Sequence, residues 1–223
     1  MLKKAILAVG LLTIAVSAKN VTIRPAEPTH YFYTPKANVN PPNHMVIGLH
    51  EFSYAFPGNM QLQASVVDNV GRINLGAKFG LADNLSIGGG LASSFVEFGP
   101  HGIHANDKRL GLFLSYGVMQ SGNMEMVITP HTQIGDRISL GLDLGMMFTP
   151  IDVWSFIWEI GSSVDTHEND GGLYLQTIGG FRIHPPAIPF LNFDIGVEIE
   201  EFNVEHDPNV GAFLDIIFSF IAM

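Results

Sequence analysis

The chain has 223 residues, no cysteine, 24 glycines, 47% hydrophobic residues and a formal net charge of −10. That length suits one domain, and the absence of Cys excludes disulfides, a thiol nucleophile and a zinc–thiolate site. So few Lys and Arg in so acidic a chain argue against nucleic acid as a partner.

The chain opens with Met1-Leu2-Lys3-Lys4, followed by an uncharged apolar stretch from Ala5 to Val16 and the small residues Ser17 and Ala18. This order predicts a secretory signal peptide over 1–18, cleaved near Ala18. Because the leader carries two lysines and no acid, its removal takes the net charge from −10 to −12. Lys19 at the new start does not indicate a lipoprotein anchor. Residues 19–43 follow with Pro25, Pro28, Pro35, Pro41 and Pro42, a stretch that could line a barrel mouth or plug its lumen.

From Met45 onward apolar and small or polar residues alternate strictly, the signature of strands with two unlike faces. Arg72 to Leu81 carries every apolar side chain on odd positions, and Ile138 to Met146 and Leu191 to Glu200 repeat the arrangement. The alternation predicts strands over 44–56, 59–69, 72–82, 84–98, 108–120, 123–134, 137–149, 152–165, 171–184, 188–203 and 209–221. Short turns at Pro57-Gly58, Ala82-Asp83-Asn84, Ser121-Gly122-Asn123 and Pro150-Ile151-Asp152 largely alternate with longer polar loops at 99–107, 165–172 and 203–209. The 69–71 and 134–136 connections are short and predict two low hairpins. Ending the last strand at the short-turn side makes 44–56 descend, so parity requires an earlier ascending strand, for which Thr29 to Thr34 is the candidate. The reading is all-β: a transmembrane antiparallel up-and-down β-barrel of about twelve strands, occupying 44–223 as one domain.

A soluble barrel buries its apolar face and shows water a face rich in Lys and Glu. Here the second face is Gly, Ser, Asn and Gln, which fits the concave inside of a barrel. The Leu, Ile, Val, Met and Phe face then meets lipid, and closure satisfies every backbone polar group. Phe79, Phe148, Trp154, Phe193, Phe218 and Phe220 fall on apolar-facing positions near the short-turn ends, as a periplasmic aromatic girdle requires.

The leader, the alternating strands and the final Phe218-Ser219-Phe220 resemble bacterial outer-membrane β-barrel proteins over essentially the whole mature chain. More narrowly, Pro41-Pro42 leading into Gly48-Leu49-His50-Glu51-Phe52-Ser53-Tyr54, then Gly71 to Lys78, resembles barrels assigned to transport in aromatic and phenol degradation. The resemblance implies an outer-membrane location, contact with membrane lipid and insertion by the barrel-assembly machinery. Such barrels commonly end on an aromatic residue that this machinery reads, whereas this chain ends Ile221-Ala222-Met223, leaving Phe218 and Phe220 for that role.

Parity puts eleven charges on the lumen side: Arg72, Lys78, Arg109, Glu125, Asp143, Glu159, Arg182, Asp194, Glu198, Glu200 and Asp215. Seven acids against four bases suit a porin-like channel for small solutes with a mild cation preference. The same charges suit a closed barrel with an internal salt-bridge network, since unpaired buried charges are costly. His101, His104, His167 and His206 lie among acids in the loops, but their spacing matches no metal motif, so neither metal nor cofactor is expected. His44, His50, His131 and His184 lie near strand ends, where interfacial hydrogen bonding is the expected role. A membrane-embedded lipid-modifying enzyme is disfavoured: the close His50–Ser53 spacing puts the two on opposite faces unless the phase slip near Glu51 marks a bulge. No Gly-x-Ser-x-Gly or His-Glu-x-x-His motif occurs.

Overall fold

A ribbon with one apolar and one polar face is stable only when neighbouring ribbons close around one of those faces. A computed structural model shows this outcome; it describes residues 23–25, 34–49, 51–64, 72–94, 97–99, 102–104, 108–135, 138–165, 173–200 and 209–222. Among them all regular structure is strand: β1 (Ile23–Pro25), β2 (His44–Ile47), β3 (Phe52–Phe56), β4 (Met60–Ala64), β5 (Arg72–Ala82), β6 (Leu85–Ser94), β7 (Glu97–Gly99), β8 (Gly102–His104), β9 (Lys108–Ser121), β10 (Met124–Ile134), β11 (Ile138–Ile151), β12 (Trp154–Asp165), β13 (Leu173–Ile183), β14 (Leu191–Glu200) and β15 (Asn209–Ala222).

Twelve of these form a closed antiparallel barrel in the order β2-β3-β4-β5-β6-β9-β10-β11-β12-β13-β14-β15. Closure is made by β15 returning to β2, from Phe218 opposite Ile47 to Ile221 opposite His44. β7 and β8 form a separate hairpin within the β6–β9 connection. Phe220 and Ile221 pair with both β2 and β1, so β1 lies on the β14 side, past the point where β14 begins at Leu191 opposite Phe218.

The predicted strand count holds, but one strand differs. The segment 44–56 is not a single descending strand: it folds back between Gly48 and Glu51, where the Gly48 N–H donates to the Glu51 carbonyl at 2.6 Å. The phase slip near Glu51 is therefore a hairpin turn rather than a bulge, and it supplies the ascending strand that parity demanded. Of the candidate strand 29–34, residues 29–33 lie outside the described residues, and Thr34 is a bend. The predicted 84–98 strand stops at Ser94, because the chain then enters the β7–β8 hairpin. β11 runs through Pro150 to Ile151, leaving Asp152-Val153 as the turn. The leader 1–18 lies outside the described residues.

Short turns close one end of the barrel. Gly122 opens a two-residue turn at φ +56°, a conformation primed hairpins need and L-residues with a Cβ avoid. The outward face is apolar along every long strand, with Leu91 and Val210 each 63% exposed. The inward face is buried. This is inside-out relative to a soluble barrel and compatible with an outer-membrane barrel.

Candidate functional site: the barrel lumen

Inward positions carry polar and charged side chains that are nonetheless shielded. Lys78, Gln61 and Ser86 are 0% exposed, and Arg182, Asp194, Asp215 and Glu159 are all buried. A water-filled channel would leave such groups wet. Here they meet protein instead, and two arrangements account for most of the contacts.

The first is a crossing segment. Residues 34–40 run inside the barrel at its short-turn half, held at nearly opposite walls. At β12, Thr34 donates from both its backbone N (2.8 Å) and Oγ1 (2.6 Å) to Glu159 Oε2. At β5, five places away around the ring of twelve, Lys78 Nζ donates to the carbonyls of Lys36 (3.2 Å) and Asn38 (2.9 Å). Between these anchors Lys36 Nζ stands 3.3 Å from Glu125 Oε2 on β10. Ala37 enters a buried apolar cluster with Val127, Met147, Ile157, Ile178 and Phe213. Glycines make room for the segment. A Cβ at Gly117 would lie 3.3 Å from that of Ala37, and one at Gly80 would lie 3.5 Å from that of Val39.

The second arrangement is pairing across the wall. Arg182 and Asp194 face each other in register on β13 and β14. They make a two-pronged contact, Nε to Oδ1 at 2.8 Å and Nη2 to Oδ2 at 2.7 Å, with both side chains 1% exposed. Such fork-shaped bonds are the strong form of ionic hydrogen bond. Asp215 Oδ1 accepts the N–H groups of Leu49 and Ile216, each at 2.7 Å, and so fastens the β2–β3 turn. Gln176 Nε2 donates to Glu198 Oε1 at 2.6 Å. His131 Nδ1 stands 3.0 Å from Asp143 Oδ2.

Of the eleven predicted lumen charges, Lys78, Glu159, Arg182, Asp194, Glu198 and Asp215 are buried inside, while Glu125 and Asp143 are inward and half-buried. Arg109 is exposed, one residue into β9 and thus at the rim. The side chains of Arg72 and Glu200 lie outside the described residues. The six girdle aromatics all take the outward parity. Phe79, Phe148 and Phe218 are exposed, and Trp154, Phe193 and Phe220 are half-buried. Trp154 packs edge-on against Phe181, with ring centroids 5.7 Å apart.

Three expectations change. His131 is not an interfacial residue but faces the lumen beside Asp143, because it shares the inward parity of Val127 and Thr129. His44 is fully shielded and bonds Ser219 at 2.7 Å across the closing seam. Lys36 and the apolar layer were missed. Phe213 and Ile217, which blur the alternation of β15, are inward residues packed inside the barrel. His50, His101, His167 and His206 lie outside the described residues, and so does the side chain of His104.

Compared with models of known protein families and with curated proteins, the chain matches none. The narrower likeness to aromatic-degradation transporters therefore gains no support from relatives.

Proposed function

We propose that the protein is an outer-membrane barrel held shut at its short-turn end by its own residues 34–40, and that it passes small solutes only when this segment is displaced. The crossing segment carries the reading: five polar contacts to β5, β10 and β12 and an apolar contact at Ala37 occupy the cross-section a solute would use. The outward apolar face and outward aromatics support a lipid environment. A cation preference does not enter this reading. Lys36 adds a base to the lumen, and Glu125, Asp143, Glu159, Asp194, Glu198 and Asp215 each have a partner. The reading assigns no catalytic chemistry to the barrel.

Single-channel recording tests it. The chain from Lys19 onward, refolded and shown to be heat-modifiable, should be silent in a planar bilayer. A variant lacking 19–40, or the Lys36→Met/Lys78→Met double variant, should show open steps. Stable conductance of the unaltered chain would overturn closure. Folded variants that stay silent would remove solute passage and leave a closed structural barrel.

A further inference from the structure

Above the crossing segment the lumen opens into a cavity of about 420 Å³ lined by β10 to β13, within the roughly 300–1,000 Å³ of small-molecule sites. Its inward polar side chains are His131, Gln133, Asp143, Ser163, Tyr174 and Gln176, while Ser162, also in the lining, gives its hydroxyl to the Leu142 carbonyl. They come from adjacent register levels: His131 opposite Gly141, Gly141 opposite Ser163, and Ser163 opposite Tyr174. Asp143 lies opposite Gly161, and Gly161 opposite Gln176. Two glycines make room for the His131 and Asp143 side chains that line it. Any side chain at Gly141 would collide with the His131 ring, and a Cβ at Gly161 would sit 2.9 Å from Asp143 Oδ1. Glu159, where Thr34 is bound, lies one inward position beneath Gly161 on β12 and is not part of the lining.

We infer that this cavity is a binding site for a small uncharged polyhydroxylated solute of mono- or disaccharide size. The donor and acceptor set points that way. Asp143 offers carboxylate acceptors, Ser163 and Tyr174 offer hydroxyls that both give and accept, and Gln133 offers an amide. Gln176 is held by its bond to Glu198, with its Oε1 3.8 Å from the vacant Cβ position of Gly161 and so directed at the cavity. Tyr174 adds an aromatic face on which a sugar ring can lie. Charged ligands fit less well. An anion would meet Asp143, with Glu198 beside Gln176. The imidazole 3.0 Å from Asp143 competes with any cation for the carboxylate. Among the described residues no group of three or more His, Asp or Glu is placed to hold a metal ion. The lining comes from β10 to β13 and includes no residue of the crossing segment, so occupancy does not depend on whether the lumen conducts.

Saturation-transfer NMR of the detergent-folded chain, with glucose, maltose, choline and acetate as separate probes, tests the assignment. Glucose or maltose should show saturable transfer that choline and acetate lack. Asp143→Asn and Tyr174→Phe should each weaken sugar affinity about tenfold, equal to ~1.4 kcal/mol, with heat modifiability unchanged. Tyr174→Phe removes only a hydroxyl, so it keeps the test open should Asp143→Asn fail to fold. Transfer to choline or acetate instead of the sugars, transfer to none of the four, or sugar binding untouched by both folded variants would each overturn the proposal.

Discussion

Replacing Arg182 by Met would strand the Asp194 carboxylate inside the barrel. In the folded protein both side chains are 1% exposed and joined by two ionic hydrogen bonds. Removing one partner of such a pair leaves an uncompensated buried charge, at a cost of about 3–5 kcal/mol, whereas replacing both by apolar residues is often neutral or stabilising. Arg182→Met and Asp194→Leu should therefore each lose about 3–5 kcal/mol, while the double variant returns to within about 1 kcal/mol of the parent. Equilibrium urea unfolding in lipid vesicles, followed by the emission of Trp154 and Trp158, reads these differences. An exposed ion pair contributes only about 0–1 kcal/mol. Single variants that lost no more than that would mean water reaches this level of the lumen, and the argument from burial would fail with them.

Three further outcomes follow from the same geometry. Ile195→Arg, at the middle of β14 and 52% exposed on the outward face, should cost about 2–4 kcal/mol in vesicles if that face meets lipid; a cost near zero would indicate a water-facing surface. Gly141→Ala should cost about 1–3 kcal/mol of stability and so lower the urea midpoint, because the new methyl overlaps the His131 ring and lies 2.7 Å from the Ser162 carbonyl; an unchanged midpoint would mean that ring is free to move aside. Lys78→Met removes the two bonds to the carbonyls of Lys36 and Asn38 and should make 34–40 cleavable by added protease in the folded barrel; continued resistance would show that Lys78 does not hold the segment.

Face assignments were legible because side-chain direction in a strand has period two, so the parity of Lys78, Arg182, Asp194 and Asp215 reads straight into inside or outside. Partner choice was not legible. Parity gives a face but neither the height nor the azimuth of a residue, and Arg182 meets Asp194 only because the 184–190 connection sets Ile183 opposite Phe193. The turn from Gly48 to Glu51 escaped because it carries no Asn-Gly or Asp-Gly signal, and only the slipped phase marked it. The crossing segment was legible only in part: the Pro-rich 19–43 stretch suits a plug or a mouth lining equally, and although Pro35, Ala37 and Val39 alternate with Lys36, Asn38 and Asn40, the fit is decided by gaps at Gly80 and Gly117 that lie far away in sequence. The apparent noise in β15 was its trace, since Phe213 packs with Ala37 in the apolar layer.

Disulfide trapping tests the central claim most directly, and the chain's lack of cysteine leaves no background. A Cβ at Gly80 would lie 3.5 Å from that of Val39, within the roughly 3.5–4.5 Å a disulfide spans. In the Val39→Cys/Gly80→Cys variant, oxidised in intact membranes, the account predicts a near-complete intramolecular crosslink and thiols hidden from a membrane-impermeant maleimide before oxidation. Free thiols that label readily and fail to crosslink would place residues 34–40 outside the lumen and contradict it.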